Sequence, residues 1–214
     1  MTIVDLRSAL PPIRDQGLTR GTCLAVATTT AHETGRDSNR GLASEALFWA
    51  AKSVEGNRQD GTTFRAVYQA LKDHGQPDED AWPYRPDLDI TDASYAPPGG
   101  GFPAGSCHCA RLRKIPAEVS AIRAELDEGN VVIAGLELWE AFELLDAGSL
   151  ELPRSPDAFD GVFHVVAIVG YDDREGRLLV RNSWGLDWGE NGYAWLPDDL
   201  VLVIACAAAI EELL

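Results

Sequence analysis

Six prolines between residues 77 and 103 (Pro77, Pro83, Pro86, Pro97, Pro98 and Pro103), with three glycines at 99–101, divide this chain into unlike halves. Proline lacks a backbone N–H and fixes φ, so no long helix or central strand passes through such a stretch. The segment 76–106 is therefore expected to connect two parts over the surface, pinned by burial of Trp82 and Tyr84. On its N-terminal side apolar residues recur at helical spacing. One helix starts at Cys23, with Thr22 as N-cap and Gly35 as stop. A second covers ASEALFWAAKSV, with Ser44 as N-cap and Leu47, Phe48 and Ala51 on one face. A third covers TTFRAVYQALKDHG, with Phe64, Val67, Tyr68 and Leu71 on its face and Gly75 as stop.

On the C-terminal side the pattern is that of short strands: ARLRKIP, NVVIAGLEL, GVFHVVAIVGYDD, RLLVRNSWG, GYAWLP and VLVIACAAAI. One helix, AEVSAIRAELDEG, and a helical turn with a loop over 139–160 interrupt them. The class is α+β. A helical lobe of about 14–105 is expected to face a β lobe of about 106–214, which the extended lead-in 1–13 joins. The β lobe is expected to be a partly closed antiparallel barrel, with a cleft between the lobes. A chain of 214 residues is long enough for a single domain of this kind with ample core.

The charge balance narrows the partners. There are 34 Asp and Glu against 18 Lys and Arg, a net −16, with no local basic cluster. Such a field repels a phosphate backbone, which argues against nucleic-acid binding. Its plain consequence is solubility; a mild preference for cationic substrates is the sharper reading. No run reaches membrane-spanning length, the apolar stretch VLVIACAAAI being 10 residues, and the N-terminus lacks a signal-peptide pattern. Four cysteines, with Cys107 and Cys109 too close for a routine disulfide, do not make a disulfide scaffold. A reducing cytoplasm is the expected compartment.

Cys23 stands where a loop ends and a helix begins, among unpaired backbone N–H groups and the positive end of the helix dipole. Both favour the thiolate, which is the nucleophile. A lone cysteine is more often a buried, inert one, so the thiol needs a base, and the base an orienting group. Of four histidines, His32 lies nine residues after Cys23, about half a turn out of phase, and faces away. His74 sits at a helix C-terminus, where the dipole accounts for it. His108, between Cys107 and Cys109, has no second ligand pair and falls short of a metal site. His164 is different: it lies within an apolar strand, on one face with Val166 and Ile168, while Phe163 and Val165 take the other. Asn182, at the end of RLLVRN, can accept the imidazole N–H, and Trp184 can cover that bond from water. The Gln16 amide, with the backbone N–H of Cys23, could form an oxyanion hole.

These residues carry a family resemblance. PPIRDQG is similar to the P-V-x-D-Q-G entry of papain-like cysteine peptidases, and GTCLAVA stands where that family has G-S-C-W-A-F. SEALFW resembles its L-S-E-Q-x-L-x-[YW] helix. HVVAIVGYDD and LLVRNSWGLDWGENGYAWL resemble its H-A-V-x-x-V-G-Y and N-S-W-G-x-x-W-G-x-x-G-Y strands. His164 follows Cys23 by 141 residues and Asn182 follows by another 18, a spacing such enzymes share. The resemblance, closest to compact bacterial members without a propeptide, implies a two-lobed papain-like fold and a thiol peptidase. It implies Cys23 as nucleophile, His164 as general acid/base, Asn182 as its orienter and Gln16 as oxyanion donor, with no metal or organic cofactor. Gly61, in QDGTT, takes roughly the place of the glycine pair that binds substrate backbone; Phe163 and Trp184 would border the bound peptide.

The departures are as specific. Arg20 replaces the family's cysteine three residues before the nucleophile, so the usual disulfide cannot form. The Gln16–Cys23 loop is one residue longer than usual, Leu24 replaces a Trp, and Phe163 replaces the Asp or Asn before the histidine. The leading expectation is hydrolysis of peptide or protein substrates. Transfer of the same acyl-enzyme to an amine, as in peptide maturation, is an alternative; a pseudo-peptidase that binds peptide without turnover is another. Oligomeric state is not fixed by these residues.

Overall fold

The computed structural model of the chain describes residues 2–36, 41–92, 94–145, 152–153 and 159–214. Three helices form the first part: α1 (Cys23–Thr34), α2 (Ser44–Glu55) and α3 (Phe64–Asp73). Helix α1 is buried on every side from Leu24 to Glu33. Its small side chains allow this, and the threonine hydroxyls return to the helix's own carbonyls: Thr29 donates to Ala25 O at 2.8 Å and Thr30 to Val26 O at 3.1 Å. Against it, Leu47 and Phe48 of α2 are completely buried, each worth about 1.5–3 kcal/mol of transfer from water.

The caps differ in part from the sequence expectation. Thr22 precedes α1 but does not cap it; its hydroxyl lies 2.6 Å from the Tyr84 hydroxyl instead. Gly35 ends the helix with an ordinary right-handed φ of −74°. Ser44 is inside the first turn of α2, and Ala43 takes the cap position. Only α3 of the three has a side-chain cap, Thr63 accepting from Ala66 N. Val67 and Leu71 of α3 are buried, whereas Tyr68 is exposed rather than on the core face. Tyr68 follows Val67 by one residue, 100° around the helix, and the buried stripe ends between them.

The second part is one antiparallel sheet in the order β2-β7-β3-β4-β5-β6. Its strands are β2 (Ala110–Ile115), β3 (Val132–Trp139), β4 (Phe159–Asp172), β5 (Arg177–Arg181), β6 (Tyr193–Pro197) and β7 (Ile204–Leu213). Strand β1 (Ile3–Asp5) pairs with Gly170–Asp172, extending the β4 edge beyond the point where β3 stops at Ile168. Among the described residues β2 and β6 remain unpaired with each other, so the sheet is open, not closed into a barrel. It does not need closure, because both faces are covered. One face, with Val165, Ala167 and Val169, packs on α1–α3. The other, with Val166, Ile168 and Leu136, packs on α4 (Val119–Asp127) and the short turn α5 (Glu140–Glu143). Double coverage explains the apolar run Val132–Leu136 of β3. The loop expected over 139–160 lies partly outside the described residues.

The proline-rich segment runs across the helical part as expected. Trp82 is buried and meets Trp49, Tyr95 and Phe102 at ring-centroid distances of 6.3, 5.7 and 6.1 Å. Among the described residues no helix is long and apolar enough to cross a membrane.

Candidate active site

Cys23 is the first residue of α1 and is partly buried. The loop before it is held residue by residue. Gly17 has φ of +82°, and a Cβ there would stand 2.6 Å from Pro86 O. The Gly21 N–H donates to both Asp60 oxygens, at 2.8 and 2.9 Å. A Cβ on Gly21 would meet Gly61 N at 2.6 Å, so the loop and Gly61 touch backbone to backbone two residues before the thiol. The Gly61 carbonyl already accepts from Lys52 Nζ at 2.9 Å.

His164 comes from β4 and Asn182 from the end of β5. His164 stands beside the rings of Phe142 and Trp184. Its Nε2 lies 2.7 Å from Asn182 Oδ1. The Ser183 backbone N–H donates to that same oxygen at 2.8 Å, which dictates which way the amide points. The Asn182 oxygen therefore accepts, His164 Nε2 donates, and the neutral ring carries its lone pair on Nδ1. Trp184 lies over the imidazole, 4.5 Å between centroids and 31° between planes, and its edge is packed by Phe142 and Trp188. Phe163, the neighbour of His164, is 65% exposed and stands opposite Glu137 of β3.

Ser183 links the two parts. Its hydroxyl donates to Gln16 Oε1 at 2.6 Å and its carbonyl accepts the Gln16 backbone N–H at 2.7 Å. With its oxygen so engaged, the Gln16 amide turns its Nε2 to Arg20 O at 2.7 Å. One Nε2–H remains of the two the amide has. Gln16, Ser183, Asn182 and His164 thus form one continuous run of hydrogen bonds. Sequence reading did not single out Ser183; its place between the asparagine and the tryptophan was the available signal.

Burial sets the electrostatics. It pushes the Cys23 thiol above its usual range, against the lowering effect of the backbone N–H groups of Val165, Leu24 and Cys23 itself; the Asp60 carboxylate pushes the same way as burial. Burial also lowers His164 to about 4, opposed by its bond to Asn182. The Cys23 shift thus runs against the thiolate that the helix start favours. Val165, next to His164, lies in the core that β4 shares with Leu24 of α1.

The other candidates lie apart. His32 is buried inside the helical part, its Nδ1 2.9 Å from Gln76 Oε1. His108 Nε2 is 3.4 Å from Asp78 Oδ1, and Cys107 and Cys109 are free thiols. Among the described residues no group of three or more His, Cys, Asp or Glu is arranged to hold a metal ion.

Comparison with known proteins gives the family and the fold. A family model described as papain family cysteine protease matches residues 2–209. An uncharacterized peptidase C1-like protein of Acanthamoeba polyphaga mimivirus is 27% identical, over 91% of this chain and 67% of its own length. Cathepsin J of Mus musculus is 28% identical, over 88% of this chain and 57% of its own. The chain thus spans between about half and two thirds of these relatives. Among solved structures, xylellain, a cysteine protease from Xylella fastidiosa, superposes with a TM-score of 0.78 at 25% identity, covering 97% of this chain and 85% of its own. The Carica candamarcensis cysteine protease CMS1MS2, in complex with E-64, has a TM-score of 0.72 at 20% identity, covering 98% of each chain, and shows the shared fold.

Proposed function

Because the chain belongs to the papain family of cysteine proteases, we propose that it hydrolyses peptide bonds through Cys23, His164 and Asn182, with Gln16 as oxyanion donor. One observation carries this reading. Asn182, oriented by Ser183, accepts the Nε2–H of His164 and leaves the Nδ1 lone pair as the base, on the strand whose next residue, Val165, packs in the core with the start of α1.

In the proposed cycle the Cys23 sulfur attacks the scissile carbonyl carbon while its proton passes to His164 Nδ1. The carbonyl oxygen becomes an oxyanion, stabilised by the remaining Gln16 Nε2–H and the Cys23 backbone N–H. The latter has no partner within the helix, since Cys23 is in the first turn. The C–N bond then breaks, and the amine leaves with the Nδ1 proton. A water gives a proton to Nδ1 and attacks the thioester, and the sulfur departs, taking that proton back. Asn182 holds the ring through both proton transfers. Substrate backbone lies along Gly61, and Phe163 and Trp184 border the residues next to the scissile bond. The bulky Phe163 ring shapes the pocket for the residue preceding it.

The test is a peptide-library digest with wild type, Cys23→Ala and His164→Ala, together with labelling by a thiol-directed peptide epoxide. Cleavage by wild type alone and an adduct on Cys23 are expected. Undiminished cleavage by either variant would sink the proposal. Products with the mass of ligation rather than hydrolysis would move it to transpeptidation.

A further inference from the structure

We propose that Arg20, through its buried ion pair with Glu45, is a positioning residue: it sets the place of the loop 16–22 and thereby aims the Gln16 amide, with no covalent cross-link. The inference rests on the reading of Gln16 as oxyanion donor. The guanidinium is almost wholly buried, and its NH1 and NH2 meet the two Glu45 oxygens at 2.7 Å each. NH1 also donates to Arg85 O at 2.7 Å. Its Cζ lies over the Tyr84 ring, 4.9 Å from the centroid. Glu45 in turn accepts the Tyr95 hydroxyl at 2.7 Å. One end of this assembly is α2; the other is the proline-rich segment.

A buried ion pair is poor evidence of stability, because desolvation offsets most of the attraction; its best-attested use is to specify geometry. Here the geometry specified is that of the loop. The Arg20 carbonyl accepts from Gln16 Nε2 at 2.7 Å, so whatever fixes Arg20 also fixes one of the two Gln16 amide hydrogens and directs the other. The stacked Tyr84 adds a second tie: its hydroxyl donates to Gln16 O at 2.9 Å and lies 2.6 Å from Thr22 Oγ1. Loop residues 16, 20 and 22 are therefore referred to one rigid body. A lysine at position 20 keeps the charge but not the planar fork that engages both carboxylate oxygens. The pair involves no thiol, so it holds the loop irrespective of redox conditions.

The decisive variant is Arg20→Met with Glu45→Gln, which removes the pair without leaving a buried unpaired charge. Three quantities are read in the full chain: kcat and KM on a cleaved peptide, amide hydrogen exchange over 16–22, and the rate of Cys23 alkylation by iodoacetamide. The clamp predicts a fall in kcat of about 10²-fold with KM changed less than about threefold, as expected when a donor is misplaced by about 1 Å. It also predicts faster exchange in the loop and an alkylation rate within about threefold of wild type, because the thiol and His164 are untouched. Arg20→Lys should recover only part of kcat. A folded double variant with wild-type kcat, or with unchanged loop exchange, overturns the proposal. If the double variant does not fold, Arg20→Lys takes its place: it keeps the buried charge but not the fork that engages both Glu45 oxygens, and wild-type kcat with unchanged loop exchange overturns the proposal equally. A wild type without turnover would sink the peptidase reading alone, since the exchange comparison reads the clamp independently.

Discussion

In the interior of the helical part, His32 Nδ1 lies 2.9 Å from Gln76 Oε1; on strand β4, His164 Nε2 lies 2.7 Å from Asn182 Oδ1. Both rings are buried, both are held by an amide oxygen, and burial lowers both to about 4. The difference is in what each pair leads to. The Gln76 amide nitrogen donates to Thr29 Oγ1 and Ala43 O, so that run of bonds ends in the framework. His32 Nε2 is buried with no protein partner among the described residues. The Asn182 oxygen is shared with Ser183, which continues to Gln16 and the loop before Cys23. A buried His–amide pair with a strongly shifted pKa is therefore not enough to mark a reacting histidine. What separates the two pairs is where their hydrogen bonds lead.

The comparison breaks most sharply under substitution. His164→Ala is expected to lower kcat/KM by at least about 10³-fold, while His32→Ala leaves the kcat/KM of folded protein within about threefold. Steady-state kinetics on one peptide decides it, and similar losses in both variants would erase the distinction. The next effect is one the two histidines share. Each has a folded pKa of about 4 against about 6.5 unfolded, so between those values the unfolded chain binds more protons. Stability must rise with pH across that window and is lost as pH falls from 6.5 toward 4, by up to about 3 kcal/mol per histidine. Urea denaturation at pH 4.5 and 7 checks this. The pH slope should flatten by one proton in His32→Gln and again when His164→Gln is added.

Smaller effects separate the amides. Gln76→Leu strips the acceptor from His32 and the donor from Thr29 and Ala43, and should cost about 1–3 kcal/mol of stability with kcat preserved. Asn182→Leu should do the reverse, losing kcat more than stability. Smallest is Ser183→Ala, which frees Gln16 Oε1 and is expected to lower kcat by about 3- to 10-fold, a loss of about 1 kcal/mol of transition-state stabilisation. Chemical denaturation and kinetics on the same preparations place each variant.

Much of the fold was legible because periodicity reports burial. The start of α1 at Cys23, the strand holding His164 and the turn after Asn182 each follow from local pattern. Caps were less legible: Thr22 and Ser44 have the right chemistry, yet Thr22 bonds to Tyr84, 62 residues away, and Ser44 sits one residue inside its helix. The open sheet was not legible either, since whether strands close depends on what covers their faces, and here α1–α3 and α4 cover both.

The sequence alone determined the residue types, their order, and the elements on which they stand. A thiol opens a helix, a histidine alternates within an apolar strand, and an asparagine precedes a tryptophan-rich turn. Tertiary structure alone decided how those groups meet. It put Ser183 between Asn182 and Gln16 and Arg20 into a buried pair with Glu45. It also decided the burial, which no local pattern measures, that raises the Cys23 thiol and lowers His164. The physical reason is range: backbone preference and hydrophobic period act over a few residues, whereas desolvation and hydrogen-bond partners depend on groups far apart in the chain.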